Sequence, residues 1–348
     1  MRSVSSKSAR SGSRGELALV ARIRERAART LTKSLHSGGL RLGIGDDCAL
    51  LHIRPDEELA VTTDLSIAGR HFRLDWHSPE AIGHRTLARG LSDLAAMGAR
   101  PVAAFLSLGL PRELAGHWLE RFMDGFFALA ETYKTPLAGG DLAESPVATA
   151  DIVLTGAVGR GNALLRSGAR AGDSIYVTGK LGGAAAGLLQ LERFATERRS
   201  GSSRSKARPP KIPLQLMEQL RPHLFPQPRV AQGLWLTRHS AATAAIDLSD
   251  GLSTDLAHLC EESGVAAEIE AAALPIHSGA SLTQALHGGE DYELLFTAQP
   301  SIRLPRSIAG VPIARIGRIL RAQQSRPRIT LIGEHGREPL EPGGWEHF

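Results

Sequence analysis

Aspartates at the ends of apolar or glycine-rich stretches are the residues of this sequence best suited to chemistry. An isolated buried carboxylate is costly unless it is paired, hydrogen-bonded or bound to a cation. One such aspartate is most often a helix cap or a turn residue, but six such places in one chain favour a shared role. The six places are Asp46–Asp47, Asp64, Asp93, Asp141, Asp247 and Asp250.

The neighbours of these acids favour a hard divalent cation such as Mg²⁺, which prefers oxygen ligands. Thr62 and Thr63 precede Asp64 and add two hydroxyl oxygens. Two glycines precede Asp141, and glycine lets the backbone approach a ligand closely. A carboxylate-rich site for one or more cations is therefore one interpretation of these stretches.

The third acidic stretch, Asp247-x-Ser249-Asp250, comes directly before a predicted helix. Free N–H groups at a helix start favour an anion such as phosphate, although plain N-capping by Ser249 or Asp250 remains the alternative. Carboxylates together with an anion site indicate metal-bridged phosphate and hence nucleotide chemistry. The P-loop pattern is missing, because Gly179–Lys180 is followed by leucine.

The composition is that of an ordinary globular protein long enough for two domains, with 348 residues, 42% hydrophobic and 22% charged. No apolar run approaches the roughly 20 residues that span a bilayer, so no membrane role is expected. The two cysteines, Cys48 and Cys260, form neither a disulfide framework nor a metal-type spacing. These features predict a reduced, cytoplasmic setting, with Cys48 as a small packed residue.

The basic character of the chain is concentrated in two short stretches. Residues 1–14 carry four positive charges and residues 198–211 carry six, with no acid in either. Without these ten charges the net charge changes from +5 to −5. Both stretches are rich in Ser, Gly or Pro, which predicts a disordered tail over 1–15 and a disordered insertion at about 196–211. We therefore expect no nucleic-acid binding by the folded core, with weak polyanion contact by these segments as the alternative.

The elements that must position the acids form a first predicted α+β domain over 16–158. Apolar spacing and punctuation by proline and glycine predict its helices and strands. The predicted helices are 16–35, 79–98 and 112–132. The predicted strands are 40–53, 58–67, 102–109, 136–142 and 151–158.

A second predicted α+β domain occupies 159–348 and repeats the order of strand, acidic turn and helix. It includes a strand at 173–179, a helix at 181–194 and a helix from 229. Residues 244–264 are a predicted strand, turn and helix, and four later stretches are predicted strands: 265–274, 292–298, 313–319 and 328–332.

Eight motifs in order resemble the thiamine-monophosphate kinases, a family of the aminoimidazole-ribonucleotide-synthetase superfamily. They are GIGDDCALL, TTDLSIAGRHF, LSDLAAMGARP, LAGGDLAES, ALLRSGARAGDSIYVTG, AIDLSDGLSTDLAHL, GGEDYELLF and PGGWEHF, and they extend over about residues 15–348. The resemblance implies a two-domain α+β fold with mixed sheets packed with helices and no P-loop. It also implies a homodimer that uses ATP and several Mg²⁺ ions to phosphorylate thiamine monophosphate to thiamine diphosphate.

The resemblance assigns roles to individual positions. It implies metal ligation by Asp47, Thr62, Thr63, Asp64, Asp93, Asp141, Asp247 and Asp250. It implies ATP contacts by Gly140, Asp141, Arg166 and Ser249. It implies contacts to thiamine monophosphate by His71, Glu290 and Trp345. No general base is expected, because the accepting phosphate oxygen is already ionised at neutral pH, and Asp46 is expected to support the turn.

The chain departs from the family pattern at three places. Gly90 stands where the family commonly has asparagine, Leu142 where it has threonine, and Ala184 or Ala185 where it often has serine. The polar side chains missing at these places are expected to affect the exact positioning of the site residues more than activity itself. The alternatives are another ATP-dependent enzyme of the superfamily, making aminoimidazole ribonucleotide or selenophosphate, and a non-catalytic nucleotide-binding or nucleic-acid-associated protein.

Overall fold

A computed structural model of the chain describes residues 20–29, 39–200, 212–323 and 327–345, with the backbone alone for 198–200. The predicted basic tail 1–15 lies outside the described residues, and so do residues 201–211 of the predicted insertion. Residues 196–200 continue a helix. None of the described helices is long and apolar enough to cross a membrane.

The first half of the chain contains two long helices and a four-stranded sheet. In chain order its elements are α1 (20–29), β1 (Leu40–Leu42), β2 (Leu50–Leu51), β3 (Glu57–Ile67), α2 (Pro79–Ala96), β4 (Arg100–Leu110), α3 (His117–Thr132), β5 (Leu137–Glu144) and β6 (Thr149–Gly159). The sheet has the order β3-β6-β4-β5, in which only β4 and β5 are parallel.

The second half contains a larger mixed sheet. Its elements are β7 (Ser174–Thr178), α4 (Gly183–Ser200), α5 (Leu214–Leu224), α6 (Val230–Arg238), β8 (Ala244–Asp247), α7 (Leu252–Glu262), β9 (Val265–Glu270), α8 (Leu282–His287), β10 (Leu294–Ala298), β11 (Ser307–Ile308), β12 (Val311–Arg321), β13 (Ile329–Gly333) and β14 (Gly336–Pro339). The sheet order is β14-β13-β9-β12-β7-β10-β8, with β11 paired to β12. The α+β fold with mixed sheets is thus confirmed.

One apolar core joins the two halves. Phe122 and Phe126 of α3 and Leu91 of α2 are fully buried in it, and it extends to Leu294 and Phe296 of β10 in the second sheet. Helix α2 therefore lies between the two sheets. Side chains on one helix can face both halves of the molecule, and this arrangement positions the cavity described below.

Most predicted elements are present, and the exceptions have local causes. Predicted strand 40–53 is only the short antiparallel pair β1 and β2, because Gly45 has φ +140° and the chain turns between them. The predicted helix 112–132 begins at His117, because Gly116 has a non-helical backbone. Helix α5 was not expected, since Pro213 and Pro222 obscure its periodicity, yet it buries Leu220 and Leu224.

Candidate active site

A cavity of about 420 Å³ lies where α2 and β3 of the first half meet the second half. Its walls come from β3 and the loop after it, from α2 and α4, from the turn between β8 and α7, and from the loop before β10. Its volume is in the range of small-molecule sites. Its lining includes four aspartates and Glu290 together with arginines, histidines and aromatic rings.

Three aspartates from three different elements form the acidic part of the cavity. Asp64 lies on the inward face of β3, Asp93 lies in the last turn of α2, and Asp247 is the last residue of β8. Thr62 donates a hydrogen bond from Oγ1 to Asp93 Oδ2, and Ser92 donates one from Oγ to Asp247 Oδ2 at 2.6 Å. The fold thus brings together acids that are up to 183 residues apart in sequence.

Burial raises the pKa of all three carboxylates, and neighbouring acids add to it at Asp64 and Asp247. Burial first, and then the neighbouring Asp93, raises the pKa of Asp64 to about 6. Burial and then Asp93 likewise raise the pKa of Asp247 to about 7. Burial also raises the pKa of Asp93. A bound cation would relieve both the repulsion and the desolvation, so the gathering of these three acids fits a cation-binding role.

The donor set fits a hard divalent cation, although no complete coordination shell is preformed. Asp64 Oδ2 is buried and has no hydrogen-bond partner. All three acids offer oxygen, the donor that Mg²⁺ prefers. Within the described part of the chain, no three His, Cys, Asp or Glu side chains already surround a single metal position.

The turn between β8 and α7 decides between the two interpretations of Ser249 and Asp250. Helix α7 begins after Gly251, and neither side chain caps it. Asp255 instead fixes the turn before the helix, because its Oδ2 accepts hydrogen bonds from the N–H groups of Asp250 and Gly251 at 3.1 and 3.0 Å. Ser249 and Asp250 instead line the cavity, so the capping interpretation is wrong.

Glu290 is held as a carboxylate at the opposite part of the cavity. Arg85 of α2 donates from Nη2 to Glu290 Oε1 at 2.6 Å and from Nη1 to the carbonyl oxygen of His223 at 2.5 Å. Burial would raise the pKa of Glu290, but Arg85 and then Arg89 lower it below its usual range. His77 and His223 form a buried pair beside this network, 2.9 Å apart at their Nε2 atoms.

His71 and Trp345 lie at the cavity mouth. The N–H of Ile67 donates to His71 Nδ1 at 3.0 Å, so the neutral ring carries its proton on Nε2 and can donate from there. Trp345 is 48% exposed, its backbone N–H donates to the carbonyl oxygen of Asp250, and the guanidinium of Arg70 lies 5.9 Å from its ring centre. Both residues line the cavity, as the sequence analysis expected.

Arg85 and Arg89 were not expected in the site, although the sequence contains a signal for them. Arg85, Arg89 and Asp93 are spaced by four residues, so they lie on one face of α2. Arg89 lines the cavity, with its Nε 3.5 Å from Asp64 Oδ1. Burial would lower the pKa of Arg89, but Tyr292 and Asp64 raise it above its usual value.

Three of the expected site residues lie elsewhere. Asp47, Gly140 and Asp141 line a second cavity of about 600 Å³ between the β1–β2 hairpin and the strands β4 and β5. The two cavities have no lining residue in common. The structure therefore does not bring Asp47 and Asp141 together with Asp64, Asp93 and Asp247 in one cavity.

The reason for Gly140 also differs from expectation. A Cβ atom there would collide with the backbone of Leu106 on β4, and Gly140 has φ +146°. The glycine is thus required by strand packing, whatever it does for a ligand. Next to it, Asp141 Oδ1 accepts a hydrogen bond from the N–H of Leu142 at 2.8 Å. Cys48, also beside this cavity, is exposed, contrary to the prediction of a packed residue.

Two further expected residues have distinct positions. Thr63 is exposed on the face of β3 opposite Thr62 and Asp64, because successive side chains alternate along a strand. Arg166 is exposed in a short helical turn, and its charge lowers the pKa of both Asp93 and Asp247. Arg166 is therefore close enough to act on the acidic part of the cavity, whereas the side chain of Thr63 does not face it.

The departures from the family pattern have partial explanations. A Cβ at Gly90 would collide with the Leu154 side chain, so glycine lets α2 pack closely against β6. Leu142 lines the second cavity, and Ala184 and Ala185 line the first. The small alanines leave room in the cavity wall and supply no polar side-chain atom there.

Comparison with known proteins gives concordant matches. Residues 45–160 match the model of the AIR synthase related protein, N-terminal domain. A thiamine-monophosphate kinase from Salmonella typhimurium is 40% identical over 323 residues, which cover 88% of this chain and 90% of the relative. The match thus extends well beyond the first half of the chain.

Solved structures extend the similarity to the fold. A crystal structure of thiamine-monophosphate kinase from Stenotrophomonas maltophilia has a TM-score of 0.76 and 40% identity, covering 91% of this chain and 96% of that one. AaThiL complexed with AMPPCP and TMP has a TM-score of 0.72 and 31% identity, covering 85% and 89%.

Proposed function

Since the chain belongs to the thiamine-monophosphate kinase family, we propose that the cavity between its two halves is where it transfers a phosphoryl group from ATP to thiamine monophosphate. The observation that carries this location is the presence, in one cavity, of three aspartates with raised pKa values together with an ionised Glu290 and the ring of Trp345. The three aspartates suit a cation that in turn binds phosphates. The carboxylate of Glu290 and the ring of Trp345 suit the two heterocycles of thiamine.

The thiamine end of the site is assigned to His71, Glu290 and Trp345. Glu290 is ionised, so it can accept a hydrogen bond from the amino group of the aminopyrimidine. Trp345 presents an aromatic face on which the cationic thiazolium can stack. His71 can donate from Nε2 to a phosphate oxygen.

The phosphate end is assigned to the acids. Asp64, Asp93, Asp247 and Asp250, with Thr62, would hold Mg²⁺, which when bound supplies positive charge between two polyanionic substrates. Ser249 and Arg166 would contact ATP phosphates. The bond that forms joins an oxygen of the thiamine phosphate to the γ-phosphorus, and the bond that breaks joins that phosphorus to the oxygen that leaves with ADP. The accepting oxygen is already ionised, so no side chain has to remove a proton, and we propose direct in-line transfer without a phosphoenzyme.

The second cavity is proposed as a further part of the nucleotide and metal site. The family pattern assigns Gly140 and Asp141 to ATP, and Asp47 and Asp141 to metal. It also assigns Thr63 to metal, but Thr63 lines neither cavity. A nucleotide that contacts both Asp141 and Ser249 would have to extend from the second cavity into the first. We retain the division into domains at about residue 159 as a proposal, supported by the separate sheets on either side of it.

The assay for this function is direct. The protein is incubated with ATP, Mg²⁺ and thiamine monophosphate, and thiamine diphosphate is measured by chromatography, with free thiamine and aminoimidazole ribonucleotide precursors as control substrates. We expect one thiamine diphosphate per ADP. Consumption of ATP with no thiamine diphosphate would refute the assignment.

Arg85 gives a test of the thiamine end. We expect Arg85→Met to raise the pH below which affinity for thiamine monophosphate falls, because Arg85 keeps the pKa of Glu290 low. Without that cation, buried Glu290 takes up a proton at higher pH and stops accepting the amino hydrogen. Calorimetric titrations between pH 5 and 8 check this, with Arg85→Lys as the charge-preserving control. An unchanged pH profile for Arg85→Met would contradict the role of Glu290.

We also propose a homodimer formed through the outer face of the first sheet. Leu59, Val61 and Leu65 of β3 lie on the face opposite Asp64 and are 46%, 58% and 49% exposed. Three exposed apolar side chains on one face of an edge strand support an interface there. The free cysteines support the cytoplasmic location expected from the sequence.

The dimer gives a further prediction. Val61→Lys should convert the dimer into a monomer in sedimentation experiments, because a charge would be buried at the proposed interface. Leu214→Lys is the matched control, since Leu214 is 85% exposed on α5. Equal dimerisation of the wild type and Val61→Lys would refute this interface.

A further inference from the structure

Arg89 is a partly buried cation that lines the cavity, and none of the assigned roles applies to it. Its side chain is 18% exposed. Its Nη1 donates to Ser66 Oγ at 3.2 Å, and its Nε lies 3.5 Å from Asp64 Oδ1. Since Ser66 and Asp64 are on the same face of β3, two contacts to one strand hold the guanidinium across the gap between α2 and β3.

The guanidinium lies between the two chemical ends of the cavity. Asp64 and Asp93 are on its acidic side, and Glu290 and Tyr292 approach it from the thiamine side. None of the described residues accepts a hydrogen bond from its Nη2 atom. A planar guanidinium with a remaining donor is well suited to a phosphate oxygen.

Arg89 lies one helical turn from Asp93 and one from Arg85, which binds Glu290. A phosphate attached to a thiamine and facing the acids would therefore come close to its guanidinium. The thiamine heterocycles are assigned to Glu290 and Trp345, and the transferred group to the acids. We propose that Arg89 binds the phosphate of thiamine monophosphate and thereby makes the enzyme prefer the phosphorylated form over free thiamine. This inference rests on the proposed function of the cavity.

A different role for Arg89 makes a different prediction. If Arg89 only neutralised Asp64, its loss would change the affinity for Mg²⁺ and would affect phosphorylated and free thiamine equally. If Arg89 binds the phosphate, its loss affects only the ligand that carries one. The ratio of the two affinities therefore separates the two roles.

The test measures the binding of thiamine monophosphate and of free thiamine by calorimetry, without ATP and at fixed Mg²⁺. We expect Arg89→Met to weaken binding of thiamine monophosphate by about tenfold or more and to leave the affinity for thiamine within about twofold. Arg89→Lys keeps the charge but lacks the planar fork, so it should show a smaller loss that is again confined to the phosphorylated ligand. In steady-state assays the loss should appear in KM for thiamine monophosphate with KM for ATP unchanged.

Arg121→Met is the matched control, because Arg121 forms an ion pair with Glu80 of α2 outside the cavity. It should bind both ligands as the wild type does. Equal losses for both ligands, or no loss, in Arg89→Met would overturn the inference. If thermal unfolding shows Arg89→Met to be unfolded, the same two ligands are compared with Arg89→Lys. Equal changes in affinity for thiamine monophosphate and thiamine, or no change for either, relative to the wild type would then overturn the inference. A wild type that makes no thiamine diphosphate would refute the proposed function, whereas an active wild type with unchanged ligand preference in Arg89→Met would refute only the role of Arg89.

Discussion

Asp93→Asn is expected to lower kcat for thiamine diphosphate formation by about 10³-fold or more while the protein stays folded. Asp93 is the central acid of the cavity, because it raises the pKa of both Asp64 and Asp247 and accepts the hydrogen bond of Thr62. The substitution removes a carboxylate that would hold Mg²⁺, and with it part of the positive charge that the transfer requires. The substitution is nearly isosteric, so packing around α2 is retained.

The measurement pairs steady-state kinetics with thermal unfolding. Asp124→Asn is a suitable control, since Asp124 is exposed on α3 and forms an ion pair with Arg26. This control should retain wild-type kcat. A kcat for Asp93→Asn within about tenfold of the wild type, with Mg²⁺ and both substrates saturating, would place the reaction outside this cavity.

The second large effect is on stability. Asp247→Asn should raise the free energy of unfolding of the metal-free protein by on the order of 4 kcal/mol at pH 8. Burial and Asp93 raise the pKa of Asp247 from 3.8 to about 7, so the folded state favours the protonated carboxyl. Below about pH 4 Asp247 is protonated in both the folded and the unfolded protein, so it does not reduce the free energy of unfolding. As the pH rises to about 7 the unfolded state loses this proton first, and the free energy of unfolding falls until the folded protein also has to hold a buried charge. Asparagine carries no such charge.

The pH dependence identifies the cause. The stability difference between Asp247→Asn and the wild type should be near zero at pH 4 and should grow up to about pH 7, as measured by urea denaturation. Added Mg²⁺ should stabilise the wild type more than the variant, because a ligand that binds the folded state raises its stability. A variant less stable than the wild type at pH 8 without metal would contradict the electrostatic account.

Helices and strands were predictable where regularly spaced apolar residues were bounded by proline or glycine, or alternated strictly with polar ones. Helix α2 begins with Pro79 and ends just before Gly98, and β3 shows the alternation of a half-buried strand. Helix α5 was missed because its prolines interrupt the pattern. The strand predicted over 40–53 was too long, since apolar residues on both sides of the glycine turn at Gly45 have the pattern of one strand.

The candidate site was predictable in chemistry but only partly in geometry. Asp64, Asp93 and Asp247 do meet, as their similar surroundings indicated. The sequence could not reveal that Asp47 and Asp141 line a different cavity, because that depends on how the β1–β2 hairpin packs against β5. The alternation along β3 could have placed Thr63 opposite Thr62, and the spacing of four on α2 could have placed Arg89 beside Asp93.

The central claim is that thiamine monophosphate binds in the cavity between the two halves of the chain. A crystal structure of the protein with thiamine monophosphate, AMPPCP and Mg²⁺ tests it most directly. We predict the aminopyrimidine within hydrogen-bond distance of Glu290, the thiazolium against Trp345, and the phosphate between Arg89 and the group formed by Asp64, Asp93 and Asp247. Thiamine monophosphate bound instead beside Asp47 and Asp141, with the cavity of Glu290 and Trp345 free of it, would contradict the account.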